Sequence, residues 1–322
     1  MPRIESITQI AGIYAGHATN EEAATGCTVI VCPEGATGAV DVRGGAPATR
    51  ETDLLRPEET VQALHAVVLS GGSAYGLAAS TGVAEELERR DIGLDVMVAK
   101  VPIVSGACLF DLACGDAHVR PDAAMGAQAV ADAFSHTGEP LARGNVGAGA
   151  GCTVGKVAGP QRSMKTGLGE GICQAGELVC GAVAAVNAVG NVVDPATGEF
   201  VAGVLSSDGT HIISVEEAFA EAAAAMPLRT NTTISCVVTN AKLTKAQATK
   251  VAQMAADAYA HAIRPTHTTN DGDSIFVMAT GEVETEVDAV GMLATSALEQ
   301  AIVDAARSAQ GAQGLMAAAD LA

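Results

Sequence analysis

Arg229-Thr230-Asn231-Thr232-Thr233-Ile234-Ser235-Cys236-Val237-Val238-Thr239-Asn240 is the stretch on which the reading of this chain turns. From Thr232 to Thr239 it is mostly β-branched, which favours a strand. The first residue of that strand carries a hydroxyl, and the peptide bond before it follows an Asn. A hydroxyl at the mouth of a buried strand can attack the carbonyl just upstream, giving an ester that water then cuts. The product is a new N-terminal Thr that offers a nucleophile together with its own α-amine as base. A Thr hydroxyl reacts poorly unless a neighbour takes its proton. An α-amine, with an ordinary pKa of about 7.7–8.0, is partly neutral near pH 7. The other reading of these residues is an ordinary sheet strand with polar threonines at one end.

Composition narrows the classes. The chain has 322 residues, 48% of them hydrophobic but only 2% aromatic, with no Trp. Its core must therefore be built from Ala, Val, Leu, Ile and Met. The 36 glycines follow no period, which excludes a collagen-like repeat and points to tight turns and close backbone approach. A net charge of −19 argues against nucleic acid or an anionic membrane as partner. No run of about 18 apolar residues predicts a transmembrane helix, and no apolar stretch behind Arg3 predicts a signal peptide. The cytoplasm is the expected compartment. The eight cysteines form no C-x-x-C pair and sit among small apolar residues, so free buried thiols are expected.

Along the chain, Thr28–Cys32 and Ala39–Arg43 read as two strands of a hairpin around Gly35, and Val67–Leu69 as a buried strand. A helix follows to Arg90, and another spans Asp122 to Ala133. Leu178 to Val186 is an apolar run, and 195–210 is a loop region. Ser214 opens a short Ala-rich helix that Pro227 ends, leaving Leu228 to Thr230 as the lead-in to the strand. Thr244 and Gln247 form a capping box for a helix to about Ile263. Ser274–Met278 is a strand, Leu293–Arg307 the last helix, and 308–322 a Gln-Gly-Ala tail expected to be disordered.

Several familiar motifs fail on inspection. Gly71 to Tyr75 lacks the final Gly of a nucleophile elbow. Gly144 to Lys156 misses the P-loop at Ala150 and Val157, and the dinucleotide fingerprint at Cys152. Asp271-Gly272-Asp273 has no Glu at the calcium-loop spacing. No cofactor and no metal are expected.

Asn231-Thr232-Thr233-Ile234, with Val238-Thr239-Asn240, resembles the autocleavage junction of the DmpA-like (P1) family of self-processing N-terminal-nucleophile peptidases. That family contains L-aminopeptidase D-esterase/amidases, β-peptidyl aminopeptidases and nylon-oligomer hydrolases. Further segments resemble it in order over residues 1–307: Asp41–Gly45, Gly71–Gly76, Leu109–Leu112, Gly151–Lys156, the Val-Asn-x-x-Gly piece at Asn187, and Asp271-Gly272-Asp273. The resemblance implies an αββα sandwich of two sheets between helical layers. It implies a single domain cut between Asn231 and Thr232 into fragments 1–231 and 232–322, assembling as tetramers or larger. It assigns catalysis to Thr232, helped by Tyr75 and Asn187 as oxyanion donors. Lys156, Asp271 and Asp273 are implied to set the position and charge of the new amine. His267 is read as structural. The β-peptidyl branch has Ser and Glu where this chain has Asp271 and Asp273, so the nylon-oligomer branch is the nearer in motif. The implied substrates are short peptides, amino-acid amides or esters, or related oligoamides. Two other classes stay open: an acyltransferase of the ornithine-acetyltransferase kind, which also self-cleaves before a Thr, and a non-enzymatic small-molecule binding protein.

Overall fold

The computed structural model describes residues 3–221 and 231–321. The expected helix end at Pro227 and the lead-in Leu228 to Thr230 lie outside the described residues.

Nine strands hydrogen-bond into one path: β1 (Tyr14–Asn20), β2 (Thr25–Val42), β3 (Thr49–Arg50), β4 (Ala63–Ser70), β5 (Val104–Cys108), β6 (Leu168–Ala175), β7 (Leu178–Asn187), β8 (Thr232–Ala241) and β9 (Ser274–Val283). The order is β6-β7-β8-β9-β2-β4-β5-β3, with β1 paired to β2. Among the described residues, α1 (Ala78–Arg89), α2 (Ala123–Ser135), α4 (Lys245–Ala255), α5 (Asp257–Ala262) and α6 (Val287–Arg307) flank it, while α3 (Val215–Glu221) packs apart, its Ala218 on Val204 and Ile213.

Strand periodicity sorts these elements into four layers. On β8, Ile234, Cys236 and Val238 face inward, meeting Val183 of β7, Phe276 of β9 and Leu64 and Leu69 of β4. Val237 points the other way, into a core shared with Val251 of α4, Tyr259 of α5 and Leu298 and Ile302 of α6. Across the molecule, Val29 and Val31 of β2 and Val68 of β4 pack on Val83 and Leu87 of α1 and Val130 of α2. The fold is thus the αββα sandwich that the resemblance implied.

Strand β2 joins the two sheets. Its first half pairs with β1 and β4, and Ser274–Ala279 of β9 pair with Val42–Thr37 near its end. The register slips between Val31 and Ala36. The expected hairpin at Gly35 is therefore a bulged corner in one continuous strand. Pro33 has no N–H to give, and Gly35 alone there has a positive φ, +82°. That suffices for a bulge and a change of layer but not for a tight reversal, whose favoured form needs two such residues.

Small residues set the spacing. A Cβ on Gly169 or Gly171 of β6 would run into the backbone of α6 at Ala301 and Ala297, so this helix lies directly on the sheet. Packing of this kind leaves little room for aromatic rings.

Two helices differ from expectation. The one after Thr244 breaks at Ala256 into α4 and α5, and α6 begins at Val287 instead of Leu293. The tail at 308–321 is a correction: it is built into the molecule. Asn145 Nδ2 donates to Gln310 O (2.9 Å), and Gln310 N–H donates back to Asn145 Oδ1 (3.1 Å). Lys165 N–H donates to Met316 O (2.8 Å), Ala317 is buried, and Ala318–Asp320 form a 3-10 turn. Low complexity misled here because small side chains serve close docking as well as they serve disorder. No helix among the described residues is long and apolar enough to cross a membrane.

A chain ending at Arg307 should lose these ties. Its thermal midpoint by calorimetry is expected to fall by about 3 °C or more, the scale of about 2 kcal/mol in a domain this large.

Candidate active site

Thr232 opens β8, hydrogen-bonded between β7 and β9, where its register partner across the antiparallel pair is Asn187. Its hydroxyl donates to the carbonyl oxygen of Asn231 in a very short contact. Gly272 N–H donates to that same oxygen at 3.3 Å. The peptide carbonyl between Asn231 and Thr232 thus meets a hydroxyl and a backbone donor together.

Gly272 must be glycine for this. A Cβ there would fall 2.9 Å from Thr232 Oγ and 3.2 Å from its methyl. Gly44 is needed on the other side, where a Cβ would strike the Asp271 carbonyl. Arg43, Gly44, Gly45 and Ala46 donate their N–H groups to carbonyls of Asp273, Asp273, Thr268 and Asp271. The Gly-Gly piece is therefore the floor of the Asp-Gly-Asp loop.

Both acids of that loop are buried. Asp273 Oδ1 accepts from Thr233 N–H at 2.7 Å, immediately beside Thr232. Its Oδ2 accepts from Thr266 Oγ and His267 N–H, both at 3.1 Å, and lies 2.9 Å from His267 Nδ1. Asp271 Oδ2 accepts from Thr268 N–H at 2.5 Å, while Oδ1 has no hydrogen-bond partner among the described residues. Burial first, and then the neighbouring Asp273, push the Asp271 carboxyl above the ordinary range.

On the β7 side, Lys156 Nζ donates to Asn187 O (3.0 Å) and Oδ1 (2.6 Å). Asn187 Oδ1 also accepts from Thr153 N–H (3.1 Å), and its Nδ2 donates to Phe110 O (2.8 Å). Burial lowers the Lys156 amine to about 7, with nearby Cys152 and Asp271 opposing the shift. A cleft of about 500 Å³ opens over Thr232, with Ser73, Phe110, Thr269 and Asn270 among its walls.

Of the residues singled out in the sequence, Asn231, Thr232, Asn187, Lys156, Asp271 and Asp273 come together. Tyr75 does not join them. It is 62% exposed in the 3-10 turn Ser73–Leu77, with the Arg120 guanidinium 3.8 Å from its ring centroid, and it is Ser73 of that turn that lines the cleft.

Three supports were not found from sequence. Tyr259 is buried, and its hydroxyl lies within hydrogen-bond distance of Thr233 O (3.1 Å) and Ser235 Oγ (2.9 Å), tying α5 to β8. Lys165 is buried and donates to the carbonyls of Ala150, Cys152 and Thr166 at 2.8–3.0 Å, fixing the loop that carries Lys156. Asp111 accepts from Thr25 Oγ and Gly72 N–H, both at 2.6 Å, joining the Leu109–Leu112 segment to the Gly71–Gly76 turn. The segment around Asp111 stands out in the sequence, but only the fold reveals the partners of its carboxylate.

The profile of peptidase family S58 matches residues 5–319. An uncharacterized aminopeptidase of Mycobacterium leprae is 40% identical, over 97% of this chain and 92% of its own length. A 6-aminohexanoate-oligomer endohydrolase of Kocuria sp. is 31% identical, over 92% of this chain and 84% of its own. Among solved structures, the L-aminopeptidase D-Ala-esterase/amidase of Ochrobactrum anthropi, described as a variant of the Ntn-hydrolase fold, superposes with a TM-score of 0.69. It is 16% identical, covering 95% of this chain and 86% of its own. A Burkholderia sp. beta-aminopeptidase gives a TM-score of 0.68 at 20% identity, covering 99% and 92%.

The Lys156 amine should titrate near pH 7 in NMR of labelled lysines, well below the ordinary 10.5. The sign of its effect on stability follows. Between about pH 7 and 10.5 the unfolded chain holds a proton that the folded one has shed, so stability rises with pH across that window. Lys156→Met should remove that rise, as measured by denaturant titration at several pH values.

Proposed function

We propose, from the premise that this chain belongs to peptidase family S58 and is a hydrolase, that it cuts itself between Asn231 and Thr232 and then uses Thr232 to hydrolyse small amides. The observation that carries this reading is the Thr232 hydroxyl lying on the Asn231 carbonyl, with Gly272 N–H on the same oxygen.

In the first stage Thr232 Oγ adds to the Asn231 carbonyl carbon and gives up its proton. The oxygen gains negative charge, which the Gly272 N–H is placed to receive. The C–N bond breaks, the nitrogen takes a proton, and an ester links Asn231 to Thr232 Oγ. Water then cleaves the ester, leaving a carboxylate on Asn231 and a free amine on Thr232. Lys156 is suited to relay the proton, because burial lowers its amine to about 7.

In the second stage Oγ attacks a substrate amide and the α-amine accepts the hydroxyl proton, then passes it to the leaving amine; water, deprotonated by the same α-amine, then hydrolyses the acyl ester on Oγ, releasing the acid and restoring the hydroxyl. Because nucleophile and base share one residue, little positioning entropy is left to lose. Asp271 Oδ1 offers the amine an acceptor, Asp273 holds the strand beside it through Thr233 N–H, and the Asn187 amide and the backbone serve the oxyanion. The fragments stay joined because β8 pairs with β7 of the large fragment as well as β9 of its own.

Short peptides, amino-acid amides or esters, and oligoamides such as those hydrolysed by the Kocuria relative are the proposed substrates. A homo-oligomer of processed chains in the cytoplasm is the proposed setting.

Thr232→Ala is expected to remain a single band on denaturing electrophoresis and to turn over no amide; a cut, active variant would refute the assignment. Gly272→Ala leaves the nucleophile in place but crowds it. Fragment appearance in fresh protein should slow at least about tenfold, the scale of a misplaced reacting group.

A further inference from the structure

We infer that His267 is a positioning residue for the Thr232 nucleophile, acting through Asp273; this rests on Thr232 being the nucleophile.

Asp273 links the 266–273 loop to the start of β8, and its two oxygens are used differently. Oδ1 takes the Thr233 N–H, one residue from the nucleophile. Oδ2 is held by Thr266 Oγ, His267 N–H and His267 Nδ1. Three contacts on one oxygen fix the carboxylate's rotation and so leave the other oxygen aimed at β8. The His267 ring is itself held. It stacks on Tyr259 at 5.4 Å between centroids and 20° between planes, and Tyr259 is hydrogen-bonded to Thr233 O and Ser235 Oγ. Histidine, acid, tyrosine and strand thus form a closed ring around the residue next to Thr232.

Two further features set His267 apart from a filler. Its φ is +55°, a left-handed conformation that a histidine adopts at a cost and that persists where surrounding contacts enforce it. Its Nε2 is buried and has no hydrogen-bond partner among the described residues. The tautomer that fits carries its proton on Nδ1, donates to Asp273, and leaves Nε2 as a bare acceptor. The reverse arrangement would bury an N–H with nothing to receive it and would set two acceptors face to face.

The test uses two variants that treat backbone and donor separately. Asn tolerates the left-handed conformation and carries an amide donor at about the reach of Nδ1. Gly relieves the backbone and removes the donor. In the full-length processed protein, assayed with an amino-acid p-nitroanilide, His267→Gly should fold but lose about 30-fold in kcat with KM within about twofold. His267→Asn should recover to within about threefold of wild type. Hydrogen exchange at the Thr233 amide, followed by mass spectrometry or NMR, should quicken in the Gly variant and return toward wild type in the Asn variant. A folded Gly variant with wild-type exchange and kcat, or an Asn variant as impaired as Gly in both, would overturn the role. The exchange measurement needs no substrate. A wild-type chain that is neither cut nor active would sink the Thr232 reading, and exchange would still decide for or against His267.

Discussion

The structure depends on one strand being unable to move. β8 is hydrogen-bonded on both edges, antiparallel to β7 and parallel to β9, and both of its faces are buried. A free chain end or a surface loop could not hold a hydroxyl against the carbonyl behind it. Here the register fixes Thr232 opposite Asn187, and the Asn231–Asp271 bridge fixes the residue before it. Any slip by one residue would exchange the inward and outward faces of the whole strand. The cores on its two sides therefore guard the geometry at its end.

The second constraint is how near the surrounding backbones must come. Gly44 lets the 43–46 segment lie against the Asp-Gly-Asp loop, and Gly272 lets that loop lie against Thr232. At both places the missing Cβ is what brings main-chain donors within reach. The same economy recurs between α6 and β6 at Gly169 and Gly171. A glycine-rich, aromatic-poor composition and a site built from backbone N–H groups are thus two outcomes of one packing style.

Much of this was legible in the sequence and some was not. The strand at Thr232 announced itself through its β-branched run, and the capping box at Thr244 and Gln247 is formed as its residues required. The resemblance supplied the sandwich, which strand and helix alternation alone did not select. Local signals failed where tertiary partners decide. Pro33 and Gly35 read as a reversal because nothing nearby says that β2 has a separate sheet waiting for each half. The tail read as disordered because its docking surface lies far away in sequence, at Asn145 and Lys165. At the site, ionisable residues in short motifs were visible, but their holders were not. Tyr259 looks like any helix aromatic, and Lys165 like any lysine, until their partners are brought in by the fold. Tyr75 shows the converse: its motif is clear, yet its ring lies under Arg120 and outside the group at Thr232.

Burial also changes what the charged residues are able to do. In water a lysine and an aspartate differ in affinity for a proton by more than about six pH units, so neither exchanges protons readily near neutrality. Within this site burial drives the two toward each other, raising Asp271 and lowering Lys156 to about 7. The gap that a proton must cross between acid, amine and hydroxyl shrinks accordingly, which is the condition for general acid–base work near pH 7. In the proposed chemistry Lys156 therefore serves as a proton carrier and not as a fixed cation. That shifts the weight of amine-setting, in the proposed chemistry, to the two aspartates. Since Asp273 already spends one oxygen on Thr233 and the other on the 266–267 turn, the acceptor left for the liberated amine is Asp271 Oδ1. A buried carboxyl oxygen without a hydrogen-bond partner, as Asp271 Oδ1 is among the described residues, costs about 1–3 kcal/mol. Its presence beside the strand's first residue is intelligible if the ammonium created by cleavage is what satisfies it.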